Sequence, residues 1–215
     1  METLKAHVTS GLRTGTAKRQ RGRARAENIL NCARTIFIRD GLEGLTTRKI
    51  AQELGISLGN LTYYFPNKEK LLRALIEDVL SDYHQAFELE RVRFPDDPQG
   101  RFLAYLDHLI DDCQNDDSRT FFFQIWALAK HNKVVANLRD EIYRVARADA
   151  LELISALRPE ASGREINEIV TLFVAMIEGL HVVSDISTKV LKRSSKFNRR
   201  YRQAIFELVS SHELA

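Results

Sequence analysis

Residues Thr46 to Phe65 read TTRKIAQELGISLGNLTYYF, and the punctuation of this stretch decides the fold. Thr46 is a plausible N-cap for a short helix from Thr47 to about Leu54, Gly55 ends that helix, and Ser57 caps a second one running to about Tyr64. Two short helices joined by a glycine-containing turn pack nearly crosswise only where their contact residues are small or apolar. Ala51 permits the close approach, and Ile50, Leu54, Ile56, Leu61 and Phe65 supply a shared core. Ser57, Leu58, Gly59, Asn60, Thr62 and Tyr63 are left outward or at the N-terminal end of the second helix. This arrangement fits an element that enters a DNA major groove, its first residues meeting base edges and its free backbone N–H groups meeting phosphate. Asn60 carries an amide suited to an adenine edge, and Leu58 and Thr62 carry apolar groups suited to thymine methyls. Thr47, Arg48, Tyr63 and Lys68 suit phosphates, which fix register without reading sequence.

Working outward, a helix is predicted over about 25–39, with Ile29, Leu30, Ala33, Ile36 and Phe37 on one face and a stop at Asp40-Gly41. Pro66 breaks the chain after Phe65, and Asn67 restarts it as a fourth, longer helix through Leu71, Leu72, Leu75, Ile76, Val79 and Leu80. Residues 1–25 hold seven Lys or Arg against Glu2 alone, whereas the whole chain of 215 residues has a net charge of only +3. A basic arm, 1–24, on a mildly acidic body points to a localised polyanion contact. Arg19, Arg21 and Arg23 are the arm residues placed to reach the adjacent DNA backbone or minor groove.

The segments ARTIFIRDG (33–41), LTTRKIAQELGIS (45–57), GNLTYYF (59–65) and PNKEKLL (66–72) together resemble the DNA-binding domain of the TetR/AcrR family of one-component transcriptional regulators. The resemblance covers about 26–72. It implies an all-helical dimer of nine or so helices per subunit, with a C-terminal domain that binds an effector and dimerises. The expected fold is therefore all-α, with a three-helix helix-turn-helix domain over 25–66 joined by a long helix to an effector-binding and dimerisation domain over 67–215.

The C-terminal part carries the same helical period. FPDDPQG (94–100) is the one linker-like stretch, with Asp97 as cap and Pro98 at the first position of the next helix. Helices are predicted near 98–114, 118–131, 133–157, 163–191 and 196–212, with Ser162 and Glu165 as a capping box. The helix SRTFFFQIWALAKH (118–131) is apolar on nearly every face, so it is a central core helix or the wall of a ligand cavity. Phe122, Gln124 and Trp126, with Tyr105 and His108 from the preceding helix, form a candidate effector site. Its aromatic character suits an apolar or aromatic molecule or a quaternary ammonium. Glu178 and His181 join it, or form a satisfied buried pair. Ile166, Ile169, Val170, Phe173, Val174, Ile177 and Leu180, with Tyr201, Ile205, Leu208 and Val209, offer more apolar surface than one small domain needs. Homodimerisation through 163–212 is expected.

Composition bounds the rest. The apolar run Val170–Val183 is interrupted by Glu178 and His181 and is too short to span a bilayer, and the N-terminus lacks the apolar block of a signal peptide. No membrane contact and a cytoplasmic location are expected. Cys32 and Cys113 lie in apolar-periodic segments and are expected to be buried thiols. DDCQNDD (111–117) superficially resembles an aspartate-rich metal and diphosphate motif, but it ends one helix and opens the next, where acids favour the helix N-terminus. His108 and Asp112, four apart, form an isolated pair. The sequence has no HExxH, no glycine-rich phosphate loop and no GxSxG elbow. The leading expectation is a dimeric repressor on a palindromic DNA operator, released by a small-molecule effector, without metal, cofactor or catalysis. The alternatives are a helical metalloenzyme built on Asp111–Asp117 and a DNA-binding module that senses nothing.

Overall fold

The structure, a computed structural model, describes residues 17–186 and 195–211. These contain nine α-helices and no strand: α1 Ala17–Gly44, α2 Thr47–Glu53, α3 Leu58–Tyr64, α4 Lys68–Arg93, α5 Pro98–Cys113, α6 Asp116–Ala129, α7 Lys133–Leu157, α8 Gly163–Ile186 and α9 Ser195–Ser210. The chain divides into two compact units, up to Leu75 and from Ile76 onward, so the division falls within α4.

In the N-terminal unit, α1 begins well before the predicted start at residue 25. The prediction relied on apolar period, which starts only at Ile29, whereas Ala, Lys, Arg and Gln over 17–21 are good helix formers without it. Arg19, Arg21 and Arg23 are thus on a helix, while residues 1–16 of the basic arm lie outside the described residues. The stop at Gly41 is as expected: its φ of 71° is available cheaply only to glycine, and one further turn follows it. Ile29, Ala33, Ile36 and Phe37 are buried with Leu45, Ile50 and Leu61 in one core.

α2 and α3 start where their caps dictate. The Thr46 hydroxyl accepts from Lys49 N, and the Ser57 hydroxyl accepts from Asn60 N at 3.1 Å. Between them Gly55 has a φ of 62°, and Ile56 N closes the turn by donating to the Ala51 carbonyl at 2.9 Å. Asp40, bonded by Arg39 and Lys49, and Glu53, bonded by Arg39, tie α1 to α2.

In the C-terminal unit, Phe102, Tyr105, Leu106 and Ile110 of α5 pack with Leu153 and Ile154 of α7, with Ile166, Ile169, Val170, Phe173, Ile177 and Leu180 of α8, and with Ile205 and Val209 of α9. Asp97 accepts from Gly100 N at 2.8 Å, with Pro98 opening α5. The Ser162–Glu165 box is half-formed. Ser162 accepts from Glu165 N at 3.3 Å, but the Glu165 carboxylate is taken by buried Arg158, which also binds Glu160 and the Ser211 carbonyl. Cys113 is buried as expected, while Cys32 is only half-buried.

Two expectations change here. The α8 residues singled out as surplus apolar surface are mostly core, and the exposed face of α8 instead presents Leu172, Ala175, Gly179, Val182 and Val183. Helical period located the core stripe correctly but could not tell which apolar stripe turns inward. In addition, Gly163–Ser184, with mean hydropathy 1.6, is long and apolar enough to cross a bilayer, although counting only Val170–Val183 made it look too short. Its largest side chains, Phe173 and the isoleucines, are buried within the unit, as in the core helix of a bundle. The predicted end of this helix at 187–191 falls outside the described residues.

Candidate functional site

The N-terminal unit leaves one face of α3 uncovered. Ser57, Leu58, Gly59 and Asn60 are exposed, and Tyr63 is 80% exposed although it is the bulkiest of the set. Leu61 and Phe65, on the opposite side, are buried. Tyr63 is braced edge-on by Tyr64 at 5.1 Å between ring centroids, and Tyr64 is half-buried with its hydroxyl near Gly22 of α1. An exposed tyrosine held by a second ring keeps its hydroxyl available with little rotamer freedom to lose. Gly59 has open space where a Cβ would sit, so a side chain there would meet only an incoming partner.

Not every predicted contact is equally free. Arg48 is exposed, Thr47 half-buried. Thr62 is half-buried, and its hydroxyl donates back to the Leu58 and Gly59 carbonyls at 3.0 and 3.2 Å. The Lys68 ammonium donates to the Leu42 carbonyl near the end of α1, and partial burial lowers its pKa. In this state its charge caps α1. Arg21 and Arg23 are exposed on the first turns of α1, with Arg23 bonded to Glu27 at 2.8 Å, and the side chain of Arg19 is outside the described set.

In the C-terminal unit a second constellation forms around α6 and α8. The Phe122 ring lies 5.1 Å from His181 and 6.2 Å from Trp126, and Trp126 lies 5.9 Å from His181. Tyr143 of α7, which the sequence reading did not include, accepts from the Trp126 indole N–H at 2.7 Å and bonds the Glu178 carboxyl. Its position about three turns into α7 carried no mark beyond being aromatic. Burial pushes Glu178 up to about 7 and pushes His181 down, so the imidazole is neutral near pH 7. Tyr83 of α4, also missed, donates to Asp112, which accepts from Ser118 as well at 2.7 Å; its ring touches Phe122 at 6.2 Å.

Phe122, Trp126, Glu178 and His181 therefore converge, whereas two predicted members do not. Tyr105 is buried in the core against Phe87, and His108 is exposed, its ring against Tyr83 and Tyr105. Both lie on α5, whose inward face here serves packing. Gln124 is half-buried on α6. The acidic run 111–117 is engaged locally: Asn115 caps α6, Asp116 pairs with Arg119, and Asp112 holds the two hydroxyls. Among the described residues no three His, Cys, Asp or Glu side chains are grouped to hold a metal ion.

With this geometry in hand, comparison with known proteins is specific. The family described as bacterial regulatory proteins, tetR family, matches residues 29–75, and the BetI-type transcriptional repressor C-terminal family matches 98–208, just over half of the chain. The HTH-type transcriptional regulator BetI of Stenotrophomonas maltophilia is 28% identical over 134 residues, which span 62% of this chain and 65% of that protein. Among solved structures, a candidate TetR-family regulator from Mesorhizobium loti superposes with a TM-score of 0.71 at 17% identity, covering 88% of this chain and 96% of its own. A candidate transcriptional regulator from Saccharomonospora viridis, crystallised with choline, superposes with a TM-score of 0.62 at 21% identity, covering 88% and 97%. The helix-turn-helix of α2 and α3, the long α4 and the five-helix C-terminal unit are thus those of a known group, and the chain belongs to the TetR family of bacterial regulatory proteins.

Proposed function

We propose that the protein is a ligand-responsive transcriptional repressor that binds a palindromic DNA operator as a homodimer and is released by a small molecule. The observation that carries this reading is the uncovered face of α3, where Leu58, Gly59, Asn60 and Tyr63 are exposed on a helix whose other side is core. In the proposed complex α3 lies in the major groove, with Asn60 on a base edge, Leu58 and the Thr62 methyl near thymine methyls, and Thr47, Arg48, Ser57 and Tyr63 on phosphates. Arg19, Arg21 and Arg23 on the first turns of α1 extend the cationic surface. Lys68 reaches phosphate only by exchanging its bond to the Leu42 carbonyl.

The effector site in this reading is the cluster of Phe122, Trp126, Tyr143, Glu178 and His181, for an apolar, aromatic or cationic molecule. Aromatic walls around one carboxyl suit such ligands, and the choline complex of the Saccharomonospora viridis protein is compatible with the cationic case. The subunits pair through the exposed face of α8, with α9. Because α4 contributes to both compact units, a shift of α4 on effector binding alters the spacing of the two recognition helices, and a mis-spaced pair cannot fill both half-sites. The fold group also supports a soluble, cytoplasmic regulator without catalysis. The experiment is selection of genomic fragments by the purified chain: an inverted repeat common to the bound fragments supports the reading, and retention of random fragments alone refutes it.

A further inference from the structure

Two buried polar atoms in the α8 cluster find no hydrogen-bond partner among the described residues: Glu178 Oε2 and His181 Nε2. Their chemistry can be worked out from their neighbours. The Tyr143 hydroxyl accepts from Trp126 at 2.7 Å, so its own proton is free to be directed at the Glu178 carboxyl beside it, while Oε2 finds no partner. The His181 ring is bonded to the Ile177 carbonyl; with Nε2 unbonded, that bond runs through Nδ1, which also lies 3.4 Å from Cys113 Sγ. A carbonyl only accepts, so Nδ1 carries the proton and the neutral ring leaves Nε2 as a bare lone pair. Glu178 and His181 are three apart on α8, with His181 Nδ1 3.9 Å from Glu178 Oε2. His181 is 95% buried at the side chain, and Oε2 is covered even though 29% of the Glu178 side chain is exposed. A buried acceptor left unbonded costs about 1–3 kcal/mol, so a pair of them sets a demand for donated hydrogens.

Resting on the reading of this cluster as the effector site, we propose that the effector is a protonated primary or secondary amine on an apolar or aromatic body, its N–H groups donated to Glu178 Oε2 and His181 Nε2. The rings of Phe122, Trp126 and His181 flank the charge. A quaternary ammonium has the charge but no N–H, and an alcohol has one donor but no charge, so each satisfies half of the site. The groups facing Glu178 and His181 are Asp112 and Cys113 of α5, Arg119 and Trp126 of α6, and Tyr143 of α7 with Arg139 beside it. Cys113 is held neutral by burial, Arg119 is paired with Asp116, and Asp112 already accepts from the Tyr83 and Ser118 hydroxyls, which leaves Glu178 as the carboxyl that meets the ligand. With Glu178 at about 7, a cation is bound by its ionised form, and affinity rises with pH.

The test titrates the full-length chain with benzylamine, benzyltrimethylammonium and benzyl alcohol at pH 8, followed by calorimetry and by the fluorescence of Trp126, the chain's sole tryptophan. Benzylamine is expected to bind at least about tenfold tighter than either analogue, to weaken by about tenfold from pH 8 to pH 6, and to weaken about tenfold in Glu178→Gln with loss of the pH dependence. Equal or tighter binding of the trimethyl compound, binding of none of the three, or a flat pH profile overturns the proposal. The ranking and the pH profile of the unaltered chain need no variant, so a folding defect in Glu178→Gln decides nothing. Operator binding without any probe is measured in parallel. If it holds while the amine fails, the ligand class falls; if it fails, the regulator reading falls whatever the amine does.

Discussion

Asp149, half-buried on α7, is a carboxyl whose titration is displaced into the neutral range. Burial, together with the neighbouring Glu152 and Glu88 carboxylates, raises it from 3.8 to about 7. A carboxyl whose native pKa lies above its unfolded value binds its proton more tightly when folded. Its contribution is therefore favourable at low pH and is lost as pH rises through about 7. Between pH 6 and pH 8 the unfolded carboxyl is ionised throughout, while the native one changes from mostly protonated to mostly ionised. One tenfold change in the native proton-binding polynomial is about 1.4 kcal/mol, a ceiling because the side chain is only half-buried and solvent screens its neighbours. In a domain of this size that is about 3–5 °C in Tm. His181 works in the opposite sense, since its lowered pKa means unfolding takes up a proton below about 6.5. The clean measurement is thus the difference between the unaltered chain and Asp149→Asn, by calorimetry across pH 6–8. The stability advantage of Asp149→Asn over the parent should widen by up to about 1.4 kcal/mol between pH 6 and pH 8, whatever its value at pH 6. Parallel Tm profiles would refute the burial argument.

Other outcomes follow from the same geometry. Ser57→Ala removes the cap of α3 and should cost about 1 kcal/mol in urea unfolding, with weaker operator binding. Deleting residues 1–24 removes six basic residues and should flatten the salt dependence of DNA affinity; an unchanged slope makes the arm irrelevant. Leu172→Asp with Val182→Asp places charge on the exposed face of α8; sedimentation of the unaltered chain should find the proposed dimer and that of the double variant a monomer, and a dimer that persists moves the interface elsewhere.

The fold was legible where local chemistry marks the backbone. Thr46, Gly55, Ser57, Asp97-Pro98 and Asn67 each stand where a helix starts or stops, because caps and left-handed turns depend on a few adjacent residues. The start of α1 was not, since a helix built from Arg, Lys and Ala has no apolar period to read. The uncovered side of α3, proposed to face DNA, was legible for the same reason as its core: Leu61 and Phe65 fix one face and so define the other. The aromatic cluster proposed as the effector site was legible only in part. Trp126 and Phe122 stood out on an all-apolar helix, but Tyr143 and Tyr83 joined them from α7 and α4 through long-range packing that no spacing encodes. Tyr105 and His108 shared the helical neighbourhood in sequence yet turned to the core and to the surface. The exposed stripe of α8 was misread because both of its faces are apolar.

The most direct test compares Asn60→Ala and Tyr63→Ala on the selected operator, on single-base variants of it and on random DNA. Tyr63→Ala should weaken binding by the same factor on every sequence, whereas Asn60→Ala should cost about 1–3 kcal/mol on the operator and erase preference at one base position of each half-site. If both variants bind the operator as the parent does, or lose the same factor on all DNA, α3 does not read sequence and the account is contradicted.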